Sequence, residues 1–391
     1  MAYLKRWPHT PNSSGLAKWR AARATAASAP IDVFYYGNSL TQDGGSPTRF
    51  IQGGYPSHVG NWMNAKLGKQ HGQGFDCARV TGGDLHWTYT DNSGQFATYN
   101  PSGGAYTPGV SGHLGGFGLW ACALVPTDVM TYTNVMDRFD ILYIKTKTFG
   151  TTIEVRIDGA LQGSFNTQDA SQTGTTINNW DASNTWTSAA LTNGSHTVTL
   201  TNTGSGSNVA YIEGIFVYNT NYDTGFRIWN GAHSAYWGAY QQGSPNSYDI
   251  IKKRQPALVI WGHFFNDKNT GNNSAYGTAA ADFISKVRAY SPNTDILLTT
   301  EWQCPGWSSS AATYTDMRNA ALYIGAINGI GVIDLGEFIE SVGYNGAYTD
   351  PFKWLKADGT HQGSADSFLQ WAKIHYAYLN DMKPPSRPQG Y

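Results

Sequence analysis

The chain has 391 residues and a formal net charge of −1, with 26 Lys and Arg against 27 Asp and Glu. That balance gives no electrostatic reason to expect nucleic acid or an anionic membrane as partner, and the length favours two domains over one. Charged residues are 14%, below the roughly 25% of an average soluble domain, and Gly, Asn, Thr and Ser fill the gap. This is the composition of a neutral, turn-rich, partly all-β protein.

In chain order, residues 15–28 carry a helical pattern that ends before Pro30. The apolar run Ile31-Asp32-Val33-Phe34-Tyr35-Tyr36 predicts a buried strand, which leads into Gly37-Asn38-Ser39-Leu40. After a Gly-rich turn, a helical stretch from Thr48 to Leu67 completes the start of a βα unit. From about 72 to 221 the rhythm changes to short alternating strands separated by turn residues. Examples are 139–144, 152–157 before the turn Asp158-Gly159, and 196–200. The α/β rhythm then resumes, with apolar runs at 226–229, 257–261, 295–300 and 331–334 and helical patterns at 276–290, 313–328 and 364–381. Strand–helix alternation predicts a doubly wound parallel sheet formed by residues 1–71 and 222–391. Residues 72–221 are expected to be a β-sandwich or jelly roll inserted between its first βα unit and its second strand.

A serine at the exit of a buried strand and an Asp-x-x-His near the other end of the chain set out a nucleophile, an orienting acid and a base in the order Ser39, Asp358, His361. Ser39 alone reads more readily as a helix cap, and Asp358-Gly359 alone reads as a turn; their combination favours catalysis. Oxyanion donors are expected from the N–H of Ser39, the N–H of Ala232 in Asn230-Gly231-Ala232-His233, and the side chain of Asn266 in His263-Phe264-Phe265-Asn266-Asp267. Each of these follows its own strand. Asn38, His233 and His263 are candidates for substrate contact, although a lone His beside a strand end is more often structural. Asp43 reads as a turn residue, and Asp350 is a weaker orienter than Asp358.

These blocks resemble the SGNH (GDSL-type) hydrolases, a family of α/β/α serine esterases, lipases and carbohydrate O-acetylesterases. The resemblance covers roughly residues 15–70 and 222–381. It implies a three-layer α/β/α, flavodoxin-like domain with Ser39, Asp358 and His361 as its triad. Asn38 stands where the family more often has Asp, and Ala232 stands where its oxyanion glycine is. The third block, usually Gly-x-Asn-Asp, is stretched here by two phenylalanines. The insert resembles the small, often carbohydrate-binding β-sandwiches of SGNH proteins of bacteria and phage tails. The opening helix with Trp19 and Arg20 resembles phage tail-associated members.

The expected activity is ester hydrolysis, with an O-acetyl group on a polysaccharide favoured over a lipid ester. The alternatives are a lipase-like esterase, or a non-catalytic glycan-binding or tail/adhesin protein on a decayed esterase fold. No cofactor and no metal site is expected, because no His/Cys/Asp cluster has ligand spacing. Cys77, Cys122 and Cys304 are expected as free thiols in preference to a Cys77–Cys122 bridge. Met1 to Pro8 has no apolar signal core and no stretch approaches a membrane span. An extracellular or virion-associated location would therefore rest on lysis, on carriage by a particle or on a trimmed signal.

Overall fold

A computed structural model of the chain describes residues 15–42, 54–69, 74–78, 86–90, 92, 116–117, 121–174, 179–220, 222–233, 238–264, 267, 273–303, 311–337 and 365–382. The chain opens with α1 (Ala17–Ala24), β1 (Pro30–Gly37), α2 (Ser39–Gln42) and α3 (Tyr55–Lys66). Ten strands follow: β2 (Gly74–Cys77), β3 (Trp87–Thr90), β4 (Cys122–Leu124), β5 (Val129–Met136), β6 (Arg138–Ile144), β7 (Thr152–Ile157), β8 (Ala160–Asn166), β9 (Asn184–Thr187), β10 (Gly194–Asn202) and β11 (Ala210–Tyr218). The α/β alternation returns with β12 (Gly225–Asn230), α4 (Gly238–Gln242), α5 (Asp249–Arg254), β13 (Leu258–Gly262), α6 (Asn273–Tyr290), β14 (Asp295–Thr300), α7 (Ala311–Asn328), β15 (Gly331–Asp334) and α8 (Ala365–Leu379).

Strands β12, β1, β13, β14 and β15 form one parallel sheet in that spatial order. Counted along the chain within this sheet, the order is 2-1-3-4-5, the flavodoxin-like winding, whose direction reverses between β1 and β13. The strands read as near-continuous apolar runs because both faces are covered. Alternate residues of β1 serve the two layers. Val33 and Tyr35 belong to a core with Trp19 of α1, Val59 and Met63 of α3, and Trp371 and Ile374 of α8. Phe34 and Tyr36 belong to a second core with Phe283 and Val287 of α6 and Met317 of α7. This is the expected α/β/α layering.

The strands from β2 to β11 build two antiparallel sheets, β3-β5-β10-β7-β8 and β2-β11-β6-β9, with β4 also pairing β11. They make a sandwich set into the chain between α3 and β12. All nine residues of β11 are buried. The sandwich shares its core with the parallel sheet, because Phe75, Phe117 and Phe216 gather around Trp229 of β12 at centroid distances of 6.0, 6.0 and 4.1 Å. The seam is also charged. Arg254 of α5 reaches Asp140 of β6 at 2.6 Å, and Tyr218 donates to the same carboxylate at 2.6 Å.

Some boundaries differ from expectation. Helix α1 stops at Ala24 instead of reaching 28, because the Thr25 N–H turns back onto Ala22 and Arg23. The helix expected from Thr48 is described from Tyr55, with Pro56 in its first turn where its missing N–H costs nothing. Cys77 and Cys122 are buried, and no bridge joins the two; Cys304 lies outside the described residues.

Candidate active site

Ser39 is the first residue of α2 and follows β1 by one residue. It sits at the carboxyl end of β1, beside β13, where the winding of the parallel sheet reverses and ligands of such sheets gather. It is half-buried, while Gly37, Asn38, Leu40 and Thr41 around it are buried. The turn needs glycine at its entrance for lack of space. A Cβ on Gly37 would lie 2.3 Å from Thr41 Oγ1 and 3.2 Å from the carbonyl of Gly262 on β13.

Neighbouring elements hold the short helix from several sides. Asn38 donates through Nδ2 to the two oxygens of Glu301, just after β14, at 3.2 and 3.1 Å. Its Oδ1 accepts the Leu40 N–H at 2.9 Å, which satisfies one of the orphan donors of the helix start. Asn230, ending β12, donates to the Thr41 carbonyl at 3.2 Å. Thr41 Oγ1 lies 3.2 Å from the Tyr55 hydroxyl of α3. Glu301 carries no motif signal in the sequence, and its part in the turn emerges only from the fold.

Behind this helix, Tyr55 lies against His375 of α8 at a centroid distance of 4.5 Å. His375 is fully buried, and neither ring nitrogen has a hydrogen-bond partner. Burial pulls its pKa down to about 3, so the ring is neutral and belongs to the core.

The second nominated block follows β12. Gly231 and His233 donate their N–H groups to Tyr35 and Gly37 of β1, each at 2.8 Å, and so extend the pairing of β12 with β1. Ala232 is buried, and its φ is not in the positive range. Its N–H donates to Asn230 Oδ1 at 3.2 Å. Serving an oxyanion would require that N–H to be shared between two acceptors.

The third block follows β13. His263 is buried and meets the Trp261 ring edge-on at 5.5 Å. Asp267 accepts the Gly238 N–H at 2.7 Å, and burial pushes its pKa up to about 7. Asn266, Asp358, His361, Asp43 and Asp350 lie outside the described residues.

An open groove of about 360 Å³, lined by Asp137, Arg138, Leu191 and Tyr222 among others, lies at the opposite, amino end of β12. Among the described residues, no group of three or more His, Cys, Asp or Glu side chains is placed to hold a metal ion. Among them, no helix is long and apolar enough to cross a membrane.

No family model matches the chain, and no curated protein matches it in sequence. Solved structures do. A peptidoglycan O-acetylesterase is similar over 96% of this chain and 98% of its own, with a TM-score of 0.64 at 12% identity. A salicylyl-acyltransferase from a tetracycline biosynthetic pathway is similar over 79% of this chain and 97% of its own, at 12% identity and a TM-score of 0.33. A family two carbohydrate esterase from Cellvibrio japonicus follows at 67% and 92% coverage, 11% identity and a TM-score of 0.28. The match to the O-acetylesterase is a likeness of fold, and it spans the parallel sheet and the sandwich together.

Proposed function

We propose that the chain is a serine esterase of the SGNH type that removes O-acetyl groups from a polysaccharide, with Ser39 as nucleophile, His361 as base and Asp358 as orienting acid. The observation that carries this reading is the position of Ser39, the half-buried first residue of a helix at the carboxyl end of β1, at the reversal of a 2-1-3-4-5 parallel sheet. The fold shared with a peptidoglycan O-acetylesterase supports the same chemistry and an acetylated glycan as substrate. A serine hydroxyl attacks an ester carbonyl efficiently only when a base takes its proton.

In this reading His361 accepts the Ser39 proton as Oγ bonds to the carbonyl carbon, and Asp358 stabilises the imidazolium that forms. The N–H groups of Ser39 and Ala232 and the side chain of Asn266 hold the negative oxygen. His361 then protonates the leaving sugar hydroxyl. Water, deprotonated by His361, releases acetate from Ser39. Residues 1–71 and 222–391 are the catalytic module, and the sandwich of 72–221 holds the glycan.

The test is initial rates on p-nitrophenyl acetate and butyrate for the wild type and Ser39→Ala, followed by acetate release from O-acetylated peptidoglycan and xylan. Turnover of acetate that vanishes in Ser39→Ala, without a loss of thermal stability, is the expected result. A wild type no faster than Ser39→Ala on any ester refutes the reading.

One observation favours a second reading, a glycan-binding protein without turnover: the Ala232 N–H is already engaged by Asn230. Glycan affinity in the absence of hydrolysis would select it.

A further inference from the structure

Asn38 is gripped by a carboxylate 263 residues away in sequence. The two ends of its amide do opposite work. Nδ2 donates to both oxygens of Glu301, and Oδ1 accepts the N–H of Leu40. An amide offers a donor on one side and an acceptor on the other at every pH, whereas an ionised carboxylate offers acceptors alone. Asn38 is fully buried and Glu301 is 2% exposed, so neither bond is shared with bulk water. Charge-assisted hydrogen bonds of this kind are roughly twice as strong as neutral ones.

We propose that Glu301 is a positioning residue for the nucleophile turn: its carboxylate orients the Asn38 amide, which fixes the first turn of α2 and thereby the direction of Ser39. This inference rests on the reading of Ser39 as nucleophile. It gives Asn a physical reason at a position where the SGNH pattern more often has Asp. An aspartate in place of Asn38 would set two carboxylates about 3 Å apart in a buried place, where ionising both is costly and a shared proton relieves the cost. Two described phenols, those of Tyr55 on α3 and Tyr276 on α6, sense the charge of Glu301. Burial raises both, and Glu301 raises them further, so both stay neutral.

The experiment is a four-protein cycle of the wild type, Asn38→Asp, Glu301→Gln and the double variant. It reads kcat and KM on p-nitrophenyl acetate from pH 5 to 8, together with the melting temperature of each protein. Asn38→Asp is expected to lose about 10²-fold in kcat at pH 8 with KM little changed, the scale of a misaimed reacting group. Relative to the wild type at the same pH, it should recover toward pH 5, where the two carboxyl groups can share a proton. Glu301→Gln keeps an acceptor for Asn38 and should lose less than about tenfold. In the double variant the introduced amide donates to the introduced carboxylate, whose other oxygen still accepts the Leu40 N–H, so kcat should return to within about tenfold of the wild type.

An Asn38→Asp protein as active as the wild type at pH 8 would overturn the proposal, as would a double variant no better than Asn38→Asp. A wild type without ester turnover overturns the esterase reading instead. In that event the melting temperatures decide the pairing. Recovery in the double variant keeps Glu301 as the group that orients Asn38, and no recovery removes it.

Discussion

Replacing Glu213 by Gln tests whether a buried carboxyl between the sandwich and the parallel sheet makes folding depend on pH. Glu213 lies at the bulge of β11 and is fully buried. It accepts hydrogen bonds from the Phe117 N–H and the Ser183 hydroxyl, each at 2.9 Å, and from the Ser183 N–H. Phe117 in turn packs against Phe34 and Tyr36 of β1. Burial outweighs those donors and pushes the carboxyl up to about 7, against an ordinary value of 4.5.

The sign follows from proton counts. Below about pH 4.5 the group is protonated both folded and unfolded, and it costs nothing. Between about 4.5 and 7 the unfolded chain has lost a proton that the native protein keeps, so stability falls as pH rises. Above about 7 the penalty is constant. A separation of about 2.5 in pKa, at about 1.4 kcal/mol each, sets it near ~3 kcal/mol. Urea unfolding followed by tryptophan fluorescence from pH 4.5 to 8 should show this fall in the wild type. In Glu213→Gln the fall should shrink by that amount. The variant starts lower by about 1–3 kcal/mol, because its amide nitrogen cannot accept the bonds that one carboxylate oxygen took. Asp267, raised to about 7 by burial, falls in the same window, and Asp267→Asn isolates its share. A Glu213→Gln protein with the wild-type pH slope would refute the reasoning.

Gly37→Ala should destabilise the protein by about 1–3 kcal/mol and reduce ester turnover, since the new Cβ would lie 2.3 Å from Thr41 Oγ1 on the helix that carries Ser39. Thermal melting and p-nitrophenyl acetate rates check it, and wild-type values for both would contradict it. Arg254→Ala removes the cation from Asp140, whose side chain is 1% exposed, and should cost about 3–5 kcal/mol in urea unfolding. Adding Asp140→Asn should return part of that loss, and a further equal loss would count against a coupled pair. Cys77 and Cys122 should escape iodoacetamide in the native protein and react in denaturant, with peptide mapping as the measurement, because both are buried and burial raises the Cys122 thiol.

Much of the architecture was legible in the residues. The five parallel strands announce themselves as apolar runs because both of their faces are covered, and the sandwich strands β6, β7 and β10 show alternation or a turn signal. Strand β11 gives a broken signal even though it is apolar almost throughout, since Glu213 and Gly214 interrupt its run where the bulge falls. Strand β8 is mostly exposed and β9 is short and half exposed, and neither carries much apolar pattern. At the candidate site, Gly37-Asn38-Ser39 stood out because it follows a buried strand. The partners that hold it, Glu301, Asn230 and Tyr55, sit on three other elements and have no local signature.

The sequence alone therefore determined the strands of the parallel sheet and its long helices, where short alternating strands interrupt the α/β rhythm, and which serine stands at a strand exit. These are properties of a chain's own periodicity and turn chemistry, readable within a dozen residues. Tertiary structure alone decided that β1 lies between β12 and β13. It also decided that aromatic rings of the sandwich and of the parallel sheet meet at Trp229 and that the Asn38 amide faces a carboxylate just beyond β14. Those choices join residues hundreds of positions apart, and they are made by the burial of shared surface and the pairing of buried polar groups, for which no local pattern exists.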